Sequence, residues 1–161
     1  MNSSNKPGPE VLVKIERFCA YQERCRFEVV QKLKTWGVPR GETDSIMEHL
    51  GKEGFINEER FAMAFVRGKF NHNKWGRQKI RYELKGRQIP EKIITLALEG
   101  ITREEYLDMI RLLIAKKRNE IKSGKNMELR EKIINFVTGK GFEAEIVKQV
   151  MLDTGCLTLD S

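Results

Sequence analysis

Several patterns that would assign this sequence to a common class of protein are missing from it. Its 161 residues contain no apolar run of about 18, the length that a membrane-spanning helix needs. The first ten residues lack the apolar stretch of a secretory signal, so we expect a cytoplasmic protein with no membrane partner. Only four prolines and few runs of β-branched residues occur, which favours helices over strands.

Residues that usually bind metals or carry catalysis are also few. Cys19, Cys25 and Cys156 form no Cys-x-x-Cys pair and have neither His49 nor His72 near them, so we predict reduced thiols and no metal site. The sequence has no Gly-rich phosphate loop, no Gly-x-Ser-x-Gly and no His-Glu-x-x-His. It offers no evident acid–base pair either. We therefore expect neither an enzyme nor a bound cofactor.

Acidic residues are nearly absent from the middle of the chain. Between residues 60 and 87 there are nine Lys or Arg residues and one Glu, a net charge of +8, while the whole chain carries +7. Residues 1–59 carry −1 and residues 88–161 carry no net charge. Such a concentration of cations is typical of a site for a polyanion, because each cation placed on a phosphate releases condensed counterions.

An internal repeat organises the apolar residues. Residues 75–90 align with residues 24–39 at an offset of 51, and residues 129–143 follow at a further offset of 53. The aligned apolar residues are Val29, Ile80 and Ile133, then Leu33, Leu84 and Val137, then Val38, Ile89 and Phe142. In the helix that follows, the aligned residues are Ile46, Ala97 and Val150, then Met47, Leu98 and Met151. Apolar residues four apart followed by a turn predict a helix–turn–helix in each copy.

Two further helices begin before the second and third copies. Asn57 is a predicted N-cap, with Glu58 and Glu59 in the first turn, and Thr102 with Glu105 forms a predicted capping box. Each repeat therefore has three helices. The nine predicted helices lie near residues 9–21, 25–35, 40–53, 58–71, 76–86, 90–99, 103–122, 127–138 and 143–152.

The predicted fold is all-α, an elongated and curved array of three tandem three-helix repeats. We place the repeats at residues 9–55, 56–100 and 101–153, of which the second is the basic one. Residues 1–8 and 154–161 are predicted to be flexible tails.

The helix predicted near residues 76–86 separates apolar and basic residues. Ile80 and Leu84 share one face, and Arg77, Arg81 and Lys85 share another. A solvated outer face is the ordinary interpretation, but acidic partners four residues away are nearly absent, so we expect an anionic partner to offset the repulsion. The main candidate anion contacts are Arg67, Lys74, Arg77, Arg81 and Lys85. The secondary candidates are Lys69, Arg87, Lys116, Lys117 and Arg118, the last three of which either extend the binding face or solvate a long helix.

The aromatic residues near the basic segment have two interpretations. For Trp36, Phe61, Phe65, Trp75 and Tyr82, packing within the protein is favoured over stacking on an exposed base. Trp75 in particular is predicted to staple the start of its helix.

The segment "GFINEERFAMAFVRGKF" followed by "KWGRQKIRYELKGRQIP" resembles the central signature of the RecX family, bacterial regulators of the RecA recombinase. The flanking order is similar, with "RFEVVQKLKTWGVP" before it and a third unit rich in Lys and Arg after it. The resemblance covers roughly residues 12–152. Cys25 stands where family members often have a Ser cap, so we expect that helix start to fray.

The resemblance implies a fold of tandem three-helix repeats and a regulatory function. RecX-like proteins bind along the groove of the RecA–DNA filament, typically inhibit strand exchange, ATP hydrolysis and co-protease activity, and in some cases bind DNA directly. The implied partners are the RecA filament and single-stranded or duplex DNA, bound directly or within the filament, and we expect a monomer. Two alternatives stay open, a nonspecific DNA- or RNA-binding helical repeat protein without a recombinase partner, and a protein-binding scaffold. Asn and Gln are too sparse on the basic face for base reading.

Overall fold

The computed structural model describes residues 8–121, residue 124 and residues 126–155. Over these residues the chain forms nine α-helices and no strand. The helices are α1 (Pro9–Tyr21), α2 (Arg26–Thr35), α3 (Arg40–Lys52), α4 (Glu58–Asn71), α5 (Arg77–Gly86), α6 (Glu91–Leu98), α7 (Arg103–Glu120), α8 (Asn126–Gly139) and α9 (Ala144–Asp153). Each begins and ends within two residues of its prediction. Apart from residues 8, 154 and 155, the predicted flexible tails lie outside the described residues, and so does Cys156.

The aligned apolar positions of the three repeats lie in the protein interior. Val29, Ile80 and Ile133 are fully buried, and so are Leu33, Leu84 and Val137. The other aligned residues are buried too, except Val38, which is half-buried. Because the same positions are buried in every copy, the prediction of an all-α helical repeat fold is confirmed.

The backbone repeats along with the side chains. The turn after the second helix of each repeat contains one residue with a positive φ, which is 75° at Gly37, 61° at Gln88 and 100° at Gly141. In the first two repeats the N–H one residue later donates to a carbonyl five residues back, from Val38 to Leu33 at 3.0 Å and from Ile89 to Leu84 at 3.1 Å. These bonds are typical of a Schellman C-cap, in which a left-handed residue ends the helix.

The predicted N-caps of α4 and α7 are confirmed. The Asn57 Oδ1 accepts from the Arg60 N–H at 2.9 Å. The Thr102 Oγ1 accepts from the Glu105 N–H at 3.1 Å, and the Glu105 carboxylate accepts from the Thr102 N–H at 2.9 Å, which completes the capping box.

Helix α2 begins without a side-chain cap of its own. Cys25 makes no capping hydrogen bond, as expected, and its thiol instead donates to Glu28 at 3.4 Å. Glu58, at the start of α4, accepts from the Arg26 N–H at 2.8 Å and so satisfies one of the donors at the start of α2. Partial burial raises the pKa of the Glu58 carboxyl. This distant cap, which no local pattern indicates, stabilises a helix start for which Cys25 predicts fraying.

The cysteines within the described residues are free thiols. Cys19 and Cys25 are both buried, and burial raises the pKa of their thiols to about 11 and about 12. The prediction of reduced thiols is confirmed for these two residues. None of the His, Cys, Asp and Glu residues in the described ranges form a group of three that could hold a metal ion.

The chain divides into two compact units. Unit 1 contains the residues up to Phe65 together with Leu84–Ala97, and unit 2 contains Val66–Glu83 together with the residues from Leu98 onward. The division falls within α4, within α5 and before the last residue of α6. The three repeat boundaries stay a prediction.

Each unit has its own core. In unit 1 the core includes Ile15, Val29, Leu33, Ile46 and Leu50. In unit 2 three aromatic rings follow one another: Phe70 stacks on Tyr106 with 6.1 Å between ring centroids, and Tyr106 contacts Phe142 at 5.0 Å. Among the helices described here, none is both long and apolar enough to span a bilayer.

Candidate nucleic-acid interface

The predicted anion contacts belong to both compact units. Lys85 and Arg87 lie in unit 1, and the other eight lie in unit 2. The two groups therefore have separate surroundings.

In unit 1 both predicted contacts lie near carboxylates. The Lys85 Nζ is 3.3 Å from Glu91, and both side chains are more than half exposed, so the pair exchanges readily with water. The Arg87 guanidinium lies 3.7 Å from Glu28 and 4.9 Å from the Phe65 ring centroid. Arg87 is thus held within unit 1 by an ion pair and a ring face.

In unit 2, Arg67 holds the start of α7. Its guanidinium pairs with the Glu105 carboxylate at 3.2 Å and also donates to the Gly100 carbonyl. Glu105 is the residue that closes the capping box with Thr102. Hydrogen bonds from the Thr102 N–H and from Arg67 lower the pKa of the Glu105 carboxyl.

Arg77 belongs to a partly buried polar network. Its guanidinium donates to the Glu143 Oε2 at 2.8 Å and lies 3.9 Å from the Tyr106 ring centroid. The backbone N–H of Arg77 donates to the Tyr106 hydroxyl at 3.1 Å, and that hydroxyl donates to the Glu143 Oε1. Burial raises the pKa of the Tyr106 hydroxyl, so it stays a proton donor. The network ties the start of α5 to α7 and to the start of α9.

The repulsion among the basic residues of α4 and α5, for which an anionic partner was expected, is offset within the chain at Arg67, Arg77 and Lys85. Arg67 and Arg77 find acidic partners 38 and 66 residues away, and Lys85 finds Glu91 in the next helix. Local spacing along a helix reveals partners only within one turn, whereas tertiary packing brings in carboxylates from other helices. Arg81 and Arg118 also have interaction partners within the chain.

Four lysines of unit 2 lie near one another without carboxylate partners. They are Lys74, Lys79, Lys116 and Lys140, and we call them the lysine cluster. Within the described part of the chain, none of the four is in ion-pair distance of an acidic side chain. Partial burial lowers the pKa of Lys140, and the charges of Lys116, Lys79 and Lys74 lower it further. Two members, Lys74 and Lys116, are among the predicted contacts, whereas Lys79 and Lys140 were missed.

Two glycines bring the halves of the lysine cluster together. The Gly76 N–H donates to the Lys140 carbonyl at 2.8 Å, and the Gln78 N–H donates to the Gly141 carbonyl at 3.0 Å. A Cβ atom on Gly76 would overlap the backbone of Gly141 and Phe142, and one on Gly141 would overlap Lys79. Only glycines allow this close approach of α5 to the turn between α8 and α9. Gly76 and Gly141 are therefore the sequence signal for the lysine cluster, but no local pattern indicated that these two glycines lie in contact.

Two aromatic rings contact lysines in the lysine cluster and beside it. The Lys69 and Lys79 ammonium groups lie 4.9 and 4.6 Å from the Trp75 ring centroid. The Lys117 and Lys140 ammonium groups lie 4.9 and 5.6 Å from the Phe136 ring centroid. Lys117 also lies 3.7 Å from Glu120. These are cation–π distances, so each ring holds two lysine side chains in place.

The remaining aromatic predictions have mixed outcomes. Phe61 is buried and lies 5.7 Å from the half-buried Phe65, which confirms packing for that pair. Trp36 is half-buried, with the Lys14 ammonium 4.4 Å from its ring centroid. The prediction of packing within the protein is wrong for Tyr82, which is 75% exposed. Ile80 and Leu84 form the buried face of α5 instead.

Comparison with known families matches part of the chain to one family model. The model, described as the second three-helix domain of RecX, matches residues 57–98. Two curated relatives, both named "Regulatory protein RecX", are similar over most of the chain. The one from Bacillus cytotoxicus is 27% identical over 131 residues, which are 81% of this chain and 48% of the relative. The one from Geobacillus kaustophilus is 27% identical over 141 residues, which are 88% of this chain and 52% of the relative. The chain thus spans about half the length of the curated relatives it matches.

Solved structures share the fold. A crystal structure of regulatory protein RecX superposes with a TM-score of 0.81 at 23% identity, covering 88% of this chain and 71% of that one. The crystal structure of RecX from Lactobacillus salivarius superposes with a TM-score of 0.81 at 22% identity, covering 92% and 96%.

Proposed function

We propose that this chain, which belongs to the RecX family, binds the groove of RecA–DNA filaments and mainly inhibits the recombinase, ATPase and co-protease activities of RecA. The relatives supply the regulatory role, and because the chain spans about half of their length, their partner is carried over as part of the proposal.

The lysine cluster is the observation that carries the proposal. It presents cations that no described carboxylate neutralises, in the family whose partner contains a continuous array of phosphates. Lysines placed on phosphates release counterions, and this favours association at moderate salt concentration. The cluster therefore faces the nucleic acid, or acidic loops, inside the filament groove.

The predicted contacts take different roles in this proposal. Lys74 and Lys116 bind anions directly as members of the lysine cluster, and Lys69 lies next to it on Trp75. Arg67 and Arg77 act indirectly, because their side chains hold α7 and α5 in place. The remaining predicted contacts are Arg81, Lys85, Arg87, Lys117 and Arg118, which extend the basic surface of their units.

Inhibition follows from occupancy of the groove. A protein in the groove excludes the incoming duplex. It also excludes the repressor whose cleavage is the co-protease activity of the filament. Such a protein also shifts the filament away from its active arrangement if it binds the inactive arrangement more tightly, since a ligand moves an equilibrium only by its differential affinity. We propose that the chain occupies the groove and inhibits the filament as a monomer.

The experiment compares recombinase filaments with bare single-stranded DNA and bare duplex over a salt series, and follows ATP hydrolysis by the filament. We expect preferential binding to filaments, slower ATP hydrolysis at or below one chain per RecA protomer, and affinity that falls with salt. Equal binding to bare DNA with unchanged ATP hydrolysis would contradict the proposal.

A second candidate function is nonspecific binding of DNA or RNA without a recombinase partner. The lysine cluster favours it as well, because its cations contact phosphates in any nucleic acid. The same experiment separates the two, since this candidate predicts equal affinity for bare strands. Filament binding that is insensitive to salt would instead indicate a protein-binding scaffold.

A further inference from the structure

The lysine cluster is held together at a cost in electrostatic free energy. Partial burial lowers the pKa of Lys140, and the charges of Lys116, Lys79 and Lys74 lower it further, which is the effect of repulsion among the four ammonium groups. The cluster persists because the Gly76–Gly141 contact fixes the backbone that carries Lys79 and Lys140. An anion with several charges would relieve the repulsion at all four lysines.

The aromatic rings beside the cluster position its lysines. Trp75 holds Lys79, and Phe136 holds Lys140, at 4.6 and 5.6 Å from the ring centroids. A lysine that is already held loses less side-chain entropy when it binds a phosphate. Because ammonium groups cover both rings, neither is offered to a nucleic-acid base.

Tyr82 offers a ring that the packing of α5 leaves exposed. It is 75% exposed, and it lies three residues after Lys79 on the same helix, so the two side chains lie on neighbouring positions of one face. An exposed aromatic ring beside lysines is the arrangement that binds unpaired bases, because every base has a face that can stack. In a duplex the bases already stack on each other, so Tyr82 favours a single strand.

We propose that the lysine cluster and Tyr82 together form a binding site for single-stranded nucleic acid. Lys74, Lys79, Lys116 and Lys140 contact successive phosphates, and Tyr82 stacks on an unpaired base without reading its identity. The inference names the part of the filament that this surface contacts, and so it rests on the proposed function, but it also holds for a bare strand.

The test measures fluorescence anisotropy of a labelled oligothymidylate of about 16 nucleotides, the upper range for one small binding domain. The variant is Lys79→Gln with Lys140→Gln. The matched control is Lys92→Gln with Lys148→Gln, which removes the same charge from exposed lysines outside the lysine cluster. We expect the first pair to weaken binding roughly tenfold and to reduce the slope of log affinity against log salt by about 1.4, which is ~0.7 for each phosphate that the variant no longer neutralises. The control should change affinity less than about twofold.

Further variants separate the site from a general loss of charge or of folding. Lys79→Arg with Lys140→Arg keeps the charges and should retain most of the affinity, and circular dichroism melts should match for all pairs. Tyr82→Ala should weaken single-strand binding while leaving binding to a duplex of equal length unchanged, and Tyr82→Phe should restore it. Equal losses of affinity in the cluster and control pairs would overturn the site, and so would polyglutamate competing as well as the oligonucleotide.

Filament measurements keep the two proposals distinct. If the Gln variant at Lys79 and Lys140 binds bare single strands normally but the unmodified chain slows ATP hydrolysis by filaments, this inference fails and the proposed function stands. If the unmodified chain binds single strands through the cluster but leaves filament ATP hydrolysis unchanged, the proposed function fails and the site stands.

Discussion

Gln88 has the left-handed backbone conformation that glycines have at the equivalent turns of the other two repeats, at Gly37 and Gly141. A side chain in this conformation costs about 1–2 kcal/mol because Cβ approaches the following carbonyl. The hydrogen bond from Ile89 to Leu84, at 3.1 Å, holds Gln88 there. Turn geometry thus overrides the preference of this residue.

We expect Gln88→Gly to raise the free energy of unfolding by about 0.5–1 kcal/mol, which is the strain relieved less the greater entropy of glycine in the unfolded chain. Urea denaturation monitored by circular dichroism measures it. As a reciprocal control, Gly37→Gln should lower the free energy of unfolding by a similar amount. A destabilised Gln88→Gly protein would show that the Gln88 side chain makes a stabilising contact.

Arg77 illustrates how a surface cation can be structural. Its side chain is 40% exposed, yet its guanidinium binds Glu143 and covers the Tyr106 ring. We expect Arg77→Ala to lower the free energy of unfolding by about 1–2 kcal/mol, discounted for that exposure, and to couple with Glu143→Ala in a double-mutant cycle. Lys85→Ala, which removes a more exposed ion pair, should change stability by less than about 0.5 kcal/mol. Equal melting temperatures for the Arg77→Ala and unmodified proteins would contradict this role.

At the scale of elements, the position of α5 depends on a contact between backbones. Gly76 lies directly before α5, and its N–H donates to the turn between α8 and α9. The hydrophobic residues of α5 are matched in every repeat, but this glycine contact is formed in unit 2. A helix that approaches so closely has no room for even a methyl group.

Gly76→Ala should therefore lower the free energy of unfolding by about 3 kcal/mol, the upper range for overpacking, because the methyl group meets backbone that cannot move aside. Gly86→Ala is the control on the same helix. A Cβ atom there meets no atom within 4 Å, so the substitution should stabilise the protein by about 0.5–1 kcal/mol through helix propensity. Thermal denaturation distinguishes the two, and similar melting temperatures would refute the backbone contact.

At the scale of the whole molecule, the middle of the chain contributes to both compact units. Arg60 and Arg87 bind Glu23 and Glu28 in unit 1, whereas Arg67 and Arg77 bind Glu105 and Glu143 in unit 2. The predicted second repeat thus depends on partners that lie before it and after it in the sequence.

An isolated peptide of residues 56–100 should consequently be weakly helical and unfold without a cooperative transition, because those partners and the cores they border are missing. Circular dichroism over a temperature range tests this, with the full chain as the control that melts cooperatively. A sharp transition in the peptide would establish the second repeat as an independent domain.

The sequence by itself determined the helices and their repetition. Burial at Val29, Ile80 and Ile133 follows from apolar spacing, and the caps at Asn57 and Thr102 follow from bonds within one helical turn. Such signals are local, so they can be read in order along the chain.

Only the tertiary structure decided which cations are neutralised and which stay available. Arg77 meets Glu143 across 66 residues, and Lys79 and Lys140 belong to one cluster because two glycines let their backbones touch. The interaction between two charges depends on their distance in space, with a screening length of about 8 Å in physiological salt, whatever their separation along the chain. The concentration of positive charge was therefore visible in the sequence, but the partners of Arg67 and Arg77 and the place of Lys79 and Lys140 in the lysine cluster were not.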